Sequence, residues 1–178
     1  MVETYEVTRM IKETLTLDIG CGYAEHHVPS KKADIKLDLV KGKANFIADA
    51  HHLPFRPESF SKVMMYEVIE HLENPKQALS EIHRVLKKEG ILELTTPNIM
   101  FIGNYFWWIL NPKKTEIKDH IYAWRMSELR NLIELARLKI TLASFVDSHY
   151  WRPARFARIS IFPRLTKHHL FIQALKTA

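Results

Sequence analysis

Cysteine is nearly absent from this 178-residue chain: there is one. A single cysteine rules out an internal disulfide and favours a reducing compartment, so a cytoplasmic setting is the expectation. Long apolar runs are absent too. The longest strongly apolar stretch, Ile99 to Leu110, is interrupted by Gly103 and Asn104, and it falls well short of the roughly 20 residues needed to cross a bilayer. The first residues are polar and charged with no apolar h-region, so no secretory leader is expected. Internal repeats, low-complexity tracts and signs of a second domain are also missing. What remains is ordinary hydrophobic content with mixed charge, the profile of one globular domain spanning residues 1–178. The net charge is +6 with ten further histidines, which fits an anionic partner or a plainly solvated basic surface.

One stretch stands out against that background: Leu15-Thr16-Leu17-Asp18-Ile19-Gly20-Cys21-Gly22-Tyr23-Ala24. A short apolar run carries an acid near its end and is cut off by two glycines one residue apart. Such a run is a buried parallel strand more often than a helix. Glycine lets the backbone turn tightly and lets a ligand come close. Strand, glycine turn and helix start together make the ligand-binding corner of a doubly wound α/β sheet. A dinucleotide fingerprint needs a third glycine three residues after the second. Glu25 stands there instead, a side chain badly suited to a pyrophosphate.

The rest of the chain supplies the sheet. Residues 1–14 read as a short lead-in with one helix, and Ala24 to Pro29 leaves room for only a brief helix. Ala33 to Asp38 reads as a second strand ending in an acid. Asp38 lies twenty residues after Asp18, which suits a carboxylate at the tip of the neighbouring strand that accepts two hydrogen bonds from a ribose diol. A third short strand covers Asn45 to Ala48. The link from Asp38 to Asn45 is too short for a crossover helix, because a parallel connection usually takes about a dozen residues or more. The helix between these strands is therefore missing or reduced, and the pairing of the third strand stays open. Phe60 to Tyr66 is the fourth strand. Asn74 suits an N-cap with Pro75 at the first helical position, and Ala78, Leu79, Ile82, Val85 and Leu86 recur at helical spacing. Lys87, Lys88 and Gly90 read as the stop of that helix. Ile91 to Thr96 is the fifth strand, Met126 to Leu138 a helix, and Lys139 to Val146 and His169 to Leu175 the last two strands.

From Asp49 onward the motifs fall in a recognisable order. They are Asp49-Ala50 with Leu53-Pro54-Phe55, Glu67-Val68-Ile69-Glu70-His71-Leu72, Arg84-Val85-Leu86-Lys87 with Gly90-Ile91-Leu92, and His120-Ile121-Tyr122 with Ser127 and Leu129. Together with the Asp18 to Ala24 corner they resemble the small-molecule-type branch of class I S-adenosylmethionine-dependent methyltransferases, the methyltransferase type 11 kind. The resemblance covers residues 15–146. It implies a Rossmann-like, doubly wound, mostly parallel α/β sheet with an antiparallel last strand and trimmed helices around strands two and three. Substrate-side insertions would lie at residues 99–120 and 150–163. It also implies S-adenosylmethionine as cofactor. Gly20, Cys21 and Gly22 would approach its methionine end and Asp18 would help hold the ammonium. Asp38, with Leu39 beside it, would take the ribose hydroxyls. Asp49 would accept the adenine amino group and the amide of Ala50 would serve a ring nitrogen. His51 and Leu53 belong to the same segment, Tyr66 would be a wall, and Glu67 would sit near the cofactor.

A sulfonium is already an activated methyl donor, so the chain's work is to align an acceptor and exclude water. A general base helps only where the acceptor must lose a proton. His71 and His120 are the candidates, with His51 a weaker one. Glu67, Glu70 and His71 lie at i, i+3 and i+4 and would share a face if helical. Two carboxylates and an imidazole are donors that a divalent metal accepts. The resemblance implies both cases: some methyltransferases with this Glu-x-x-Glu-His pattern bind a metal through it, with His120 here as a fourth ligand, and others carrying Glu-His-Leu at this place bind none, so no metal is expected. For the acceptor, Phe101, Tyr105, Phe106, Trp107 and Trp108 point to an apolar pocket, a membrane-surface rest or a lid. Arg152, Arg155 and Arg158, with Trp151 and Phe156 between them, would form a basic stripe for an anion. The expected function is methyl transfer to an unidentified small-molecule acceptor, apolar or anionic. A metal-dependent RNA methyltransferase and a non-catalytic cofactor-binding module are the alternatives, and nucleic acid is the less favoured partner.

Overall fold

The computed structural model describes residues 15–22, 33–41, 44–110, 120–146 and 163–177. A seven-stranded sheet of order β3-β2-β1-β4-β5-β7-β6 runs through them. Its strands are β1 (Thr16–Ile19), β2 (Ile35–Asp38), β3 (Phe46–Ile47), β4 (Phe60–Tyr66), β5 (Leu86–Pro97), β6 (Leu138–Val146) and β7 (His169–Lys176). A 3-10 turn spans Ile69–His71, and the helices are α1 (Pro75–Val85), α2 (Ile102–Leu110), α3 (Met126–Leu135) and α4 (Pro163–Thr166). Neighbours from β3 through β5 are parallel, and β7 is antiparallel to both β5 and β6. This is the mostly parallel, doubly wound sheet with an antiparallel last strand that the sequence leads one to expect.

Strand periodicity sorts the side chains onto two faces. Leu17 and Ile19 on β1, Val63 and Met65 on β4, Leu92 and Leu94 on β5, and Leu170, Ile172 and Ala174 on β7 are buried together on one face. Helices α1 and α3 pack against each other and join that core through Ala78, Leu79, Ile82, Val85, Leu129 and Ile133. Each fully buried leucine or isoleucine here contributes roughly 1.5–3 kcal/mol. The other face carries Asp18, Met64, Tyr66, Glu93 and Thr95 in register. Helix α1 starts as its sequence dictates. The Asn74 side chain accepts the Gln77 N–H at 3.1 Å, and Pro75 takes the position where a missing N–H costs nothing.

Two boundaries differ from expectation. Helix α1 stops at Val85, before Lys87, because Leu86 is already strand, fully buried and paired with Phe60. The backbone N–H groups of Glu58 and Ser59 take the carbonyls of Arg84 and Val85, which ends the helix from outside. Helix α3 stops at Leu135 rather than Leu138. Arg137 turns the chain with φ 62°, and the buried Leu138 opens β6. The pairing left open for the third strand is resolved: β3 lies parallel to β2. A strand of two residues needs only a short climb beside β2, and Asn45 braces it by exchanging backbone and side-chain hydrogen bonds with Lys36. The expected lead-in helix over 1–14, the brief helix over 24–29 and the stripe of Arg152, Arg155 and Arg158 lie outside the described residues.

Candidate active site

The parallel strands end on one edge, and the expected residues gather there. Gly20 and Gly22 both hold positive φ, 72° and 47°, a conformation glycine takes without steric cost. A Cβ on Gly20 would come within 2.2 Å of a Val68 methyl, so only glycine lets the turn nest against the loop after β4. The N–H groups of Gly20 and Cys21 donate to the Leu37 carbonyl at 2.8 and 3.3 Å, drawing the turn onto β2. Gly22 N–H then donates to Asp38 Oδ2 at 2.6 Å, and Val40 N–H to Oδ1 at 3.0 Å. A carboxylate accepts about four hydrogen bonds, so both oxygens keep capacity for a diol. Among the described residues, a Cβ on Gly22 would meet nothing nearer than 3.8 Å. Asp18 is buried beneath the turn. Burial, then the charges of Asp18 and Asp38, push the Cys21 thiol up, so it is an inert thiol rather than a nucleophile.

The second carboxylate, Asp49, follows β3. Its Oδ1 accepts the His51 backbone N–H at 2.9 Å and lies 2.6 Å from His51 Nδ1. That backbone bond, more than the ring, holds the Asp49 carboxyl below its usual range. The segment from Asp49 to Phe55 is gripped by one side of α1. Asn74 N–H donates to His51 Nε2 at 3.1 Å, and Gln77 Nε2 donates to the His51 carbonyl at 3.2 Å. Glu81 Oε2 accepts the Leu53 N–H at 2.9 Å. Arg84 donates to the carbonyls of Leu53 and Phe55 at 2.9 and 2.8 Å while pairing with Glu81. Asn74, Gln77, Glu81 and Arg84 recur at helical spacing and so form one polar stripe. Ala50 and Leu53 are buried under it.

At the end of β4 the chain bends sharply, with Glu67 at φ 55°. Thr95 Oγ1 donates to Glu67 Oε1 at 2.6 Å, and His169 Nε2 lies 3.2 Å from Oε2. Thr96 Oγ1 donates to Glu70 Oε2 at 2.8 Å. Thr95 and Thr96 are consecutive on a strand and project to opposite faces, so Glu67 and Glu70 are sent apart. The single face expected for Glu67, Glu70 and His71 does not form. Instead His120 joins Glu70 and His71, and ligand atoms of these three lie within 4.8 Å of one another. His120 is delivered by its neighbours: the Ile121 and Tyr122 N–H groups donate to the Glu70 carbonyl at 2.8 and 3.1 Å. The His71 and His120 rings meet edge to face, centroids 4.7 Å apart. Among the described residues, Glu70 Oε1 is buried without a hydrogen bond, 3.9 Å from His71 Nε2. Burial, then the charge of Glu67, raises the Glu70 carboxyl to about 8, which leaves it mostly neutral at pH 7. The donor set of two imidazoles and one carboxyl suits a divalent transition metal, and it equally suits moving a proton.

Tyr66 closes this end. Its hydroxyl donates to Glu93 Oε2 at 2.7 Å, the same oxygen that Lys62 Nζ meets at 2.7 Å. Burial, then the Glu93 carboxylate, pushes its ionisation far up, so Tyr66 is a neutral wall.

Residues 17–94 match the family model of a methyltransferase domain. Over that stretch the chain carries a methyltransferase domain. Over 129 residues it is 36% identical to an uncharacterized protein of Methanocaldococcus jannaschii, 66% of this chain and 50% of that one. Over 53 residues, 28% of this chain and 23% of the other, it is 47% identical to demethylmenaquinone methyltransferase of Chlamydia felis. The chain thus spans half or less of the length of these curated relatives. Among solved structures, a SAM-dependent methyltransferase of Thermotoga maritima, a possible histamine N-methyltransferase, superposes with a TM-score of 0.69 at 21% identity. That superposition covers 96% of this chain and 86% of the other, and at such identity the likeness is one of fold.

In the methyltransferase domain the expected site residues fall into three groups. Asp18, Gly20, Cys21, Gly22, Asp38 and the exposed Leu39 surround the first corner. Asp49, Ala50, His51 and Leu53 form the gripped segment. Tyr66, Glu67, Glu70, His71 and His120 stand where β4 ends. Sequence reasoning missed Gln77, Glu81 and Arg84, although their spacing on one helix side was visible. His169 carried no local signal, since only the β5–β7 register, Pro97 opposite His169, brings it to Glu67.

Proposed function

We propose that this domain transfers a methyl group from S-adenosylmethionine to a small-molecule acceptor. The observation that carries the reading is Asp38 at the tip of β2, anchored by the Gly22 and Val40 amides beside the positive-φ turn of Gly20 and Gly22. S-adenosylmethionine supplies a methyl group already activated on a sulfonium. Asp38 holds the ribose hydroxyls with its remaining acceptor capacity. Asp49 takes the adenine amino group and the Ala50 amide serves a ring nitrogen. Gly20, Cys21 and Gly22 admit the methionine end, and Asp18 lends negative charge toward its ammonium. His71 or His120 takes the acceptor's proton where the acceptor has one to lose, and the buried, neutral Glu70 fixes the floor beneath them. Exposed Tyr105, Phe106, Ile109 and Leu110 on α2 support an acceptor with an apolar portion.

Thermal unfolding with S-adenosylmethionine, S-adenosylhomocysteine and NAD tests the reading. A ligand at about one hundred times its dissociation constant adds ~2.7 kcal/mol, a melting rise of roughly 5–10 °C for a domain of this size. We expect that rise with both adenosyl ligands and none with NAD, and its loss in Asp38→Ala. No rise with either adenosyl ligand would overturn the reading. A rise without turnover across a broad acceptor panel would reduce the domain to a cofactor-binding module, and tight, steeply salt-dependent RNA binding would move the acceptor to RNA.

A further inference from the structure

We infer that His51 is a positioning residue whose locked ring aims the Asp49 carboxylate at the adenine end of the cofactor and ties that aim to the first turn of α1. The inference rests on the S-adenosylmethionine reading proposed above. A backbone N–H can only donate, so His51 Nε2, 3.1 Å from the Asn74 nitrogen, is the acceptor nitrogen of the ring. The one proton of a neutral imidazole then sits on Nδ1, facing Asp49 Oδ1 at 2.6 Å. The same oxygen takes His51's own backbone N–H at 2.9 Å. Two donors from one residue on one oxygen fix the plane of the carboxylate. The Asp49 side chain is 46% exposed, so its second oxygen is within a ligand's reach. The ring itself is only 14% exposed. Its backbone is fixed as well, because Gln77 Nε2 donates to the His51 carbonyl.

This arrangement removes His51 from the candidate bases, since both of its nitrogens are used. It also gives α1 a function beyond packing. The helix that buries Leu79 and Ile82 on one side holds the adenine-side carboxylate on the other, through Asn74 and Gln77 at its start. Any tilt of that first turn is passed to Asp49 through a single rigid ring.

Two substitutions separate the two ring contacts. In His51→Asn the amide nitrogen falls near the place of Nδ1 and still donates to Asp49, but nothing reaches Asn74. In His51→Gln the amide oxygen falls near the place of Nε2 and still accepts from Asn74, but Asp49 loses its ring donor. By calorimetry, His51→Asn should bind S-adenosylhomocysteine within about threefold of wild type and His51→Gln about tenfold more weakly, the scale of one charge-assisted hydrogen bond. The ratio of affinities for S-adenosylhomocysteine and its inosyl analogue, which lacks the adenine amino group, should shrink in His51→Gln alone. A merely structural role would lower the melting temperature of both variants and leave that ratio unchanged, and this result would overturn the inference. Nitrogen-15 NMR of the wild-type ring needs no variant: the Nδ1–H tautomer is expected, and the Nε2–H tautomer would overturn it. Wild type failing to bind S-adenosylhomocysteine would overturn the cofactor reading and this inference together. Wild type binding, with His51→Gln unchanged, would overturn this inference alone.

Discussion

Glu70 holds a proton that most glutamates have lost. Its carboxyl sits at about 8 because it is buried and, secondly, because the charge of Glu67 acts on it, whereas the unfolded chain releases that proton near the ordinary value of about 4.3. A raised folded value means that the stabilisation is complete below the unfolded value and is lost as pH climbs through the folded one. Melting temperature should therefore fall between about pH 4.3 and 8 in wild type relative to Glu70→Gln, whose amide fills the same space and does not titrate. The relative loss is on the order of a few kcal/mol by the upper end of the window. Parallel melting curves across it check this, and a constant gap would mean that Glu70 titrates as if in water. The residue types at this corner were legible in the sequence; their partners were not. The i, i+3, i+4 spacing of Glu67, Glu70 and His71 put three functional groups on one notional helix face. It could not show that Glu67 takes a φ of 55°, or that Thr95 and Thr96 pull the two glutamates to opposite sides of the sheet.

Helix α1 shows which elements a sequence announces. Asn74, Pro75 and the Ala78, Leu79, Ile82, Val85 stripe mark its start and its buried side, and the structure has both. Its end was hidden, because Lys87, Lys88 and Gly90 look like a helix stop while the pairing of Leu86 with Phe60 decides otherwise. Its polar stripe was visible in the spacing but its role was not, since spacing alone does not say which loop it will hold. Arg84→Met keeps most of the side-chain volume and removes the bonds to the Leu53 and Phe55 carbonyls. With Arg84 part-buried, the expected loss is about 1–2 kcal/mol, a melting decrease of roughly 2–8 °C. The affinity for S-adenosylhomocysteine should fall with it. Melting that drops while affinity holds would confine the stripe to stability.

At the scale of the molecule, motif order and strand count were enough to predict the sheet. The β2–β3 pairing was not legible, because it depends on how distant segments meet, and the joining of His120 to Glu70 and His71 was offered by the family resemblance alone. That same joining bears on chemistry. With His71 or His120 taking the acceptor's proton as proposed above, methyl transfer should proceed without a metal. Turnover after exhaustive dialysis against a chelator should match that of untreated protein. A loss restored by zinc or manganese would instead make Glu70, His71 and His120 the ligands.

The strand β7 follows β6 in the chain yet lies between β5 and β6 in the sheet. On a growing chain, β1 to β5 can assemble side by side as they emerge. The β6 segment then has no backbone partner of its own and must wait, an unpaired edge exposed to other nascent chains, until β7 arrives to bridge it to the rest. His169, which meets Glu67, travels on that bridging strand. The same late step that joins β6 to the sheet is therefore the one that completes the corner at the end of β4.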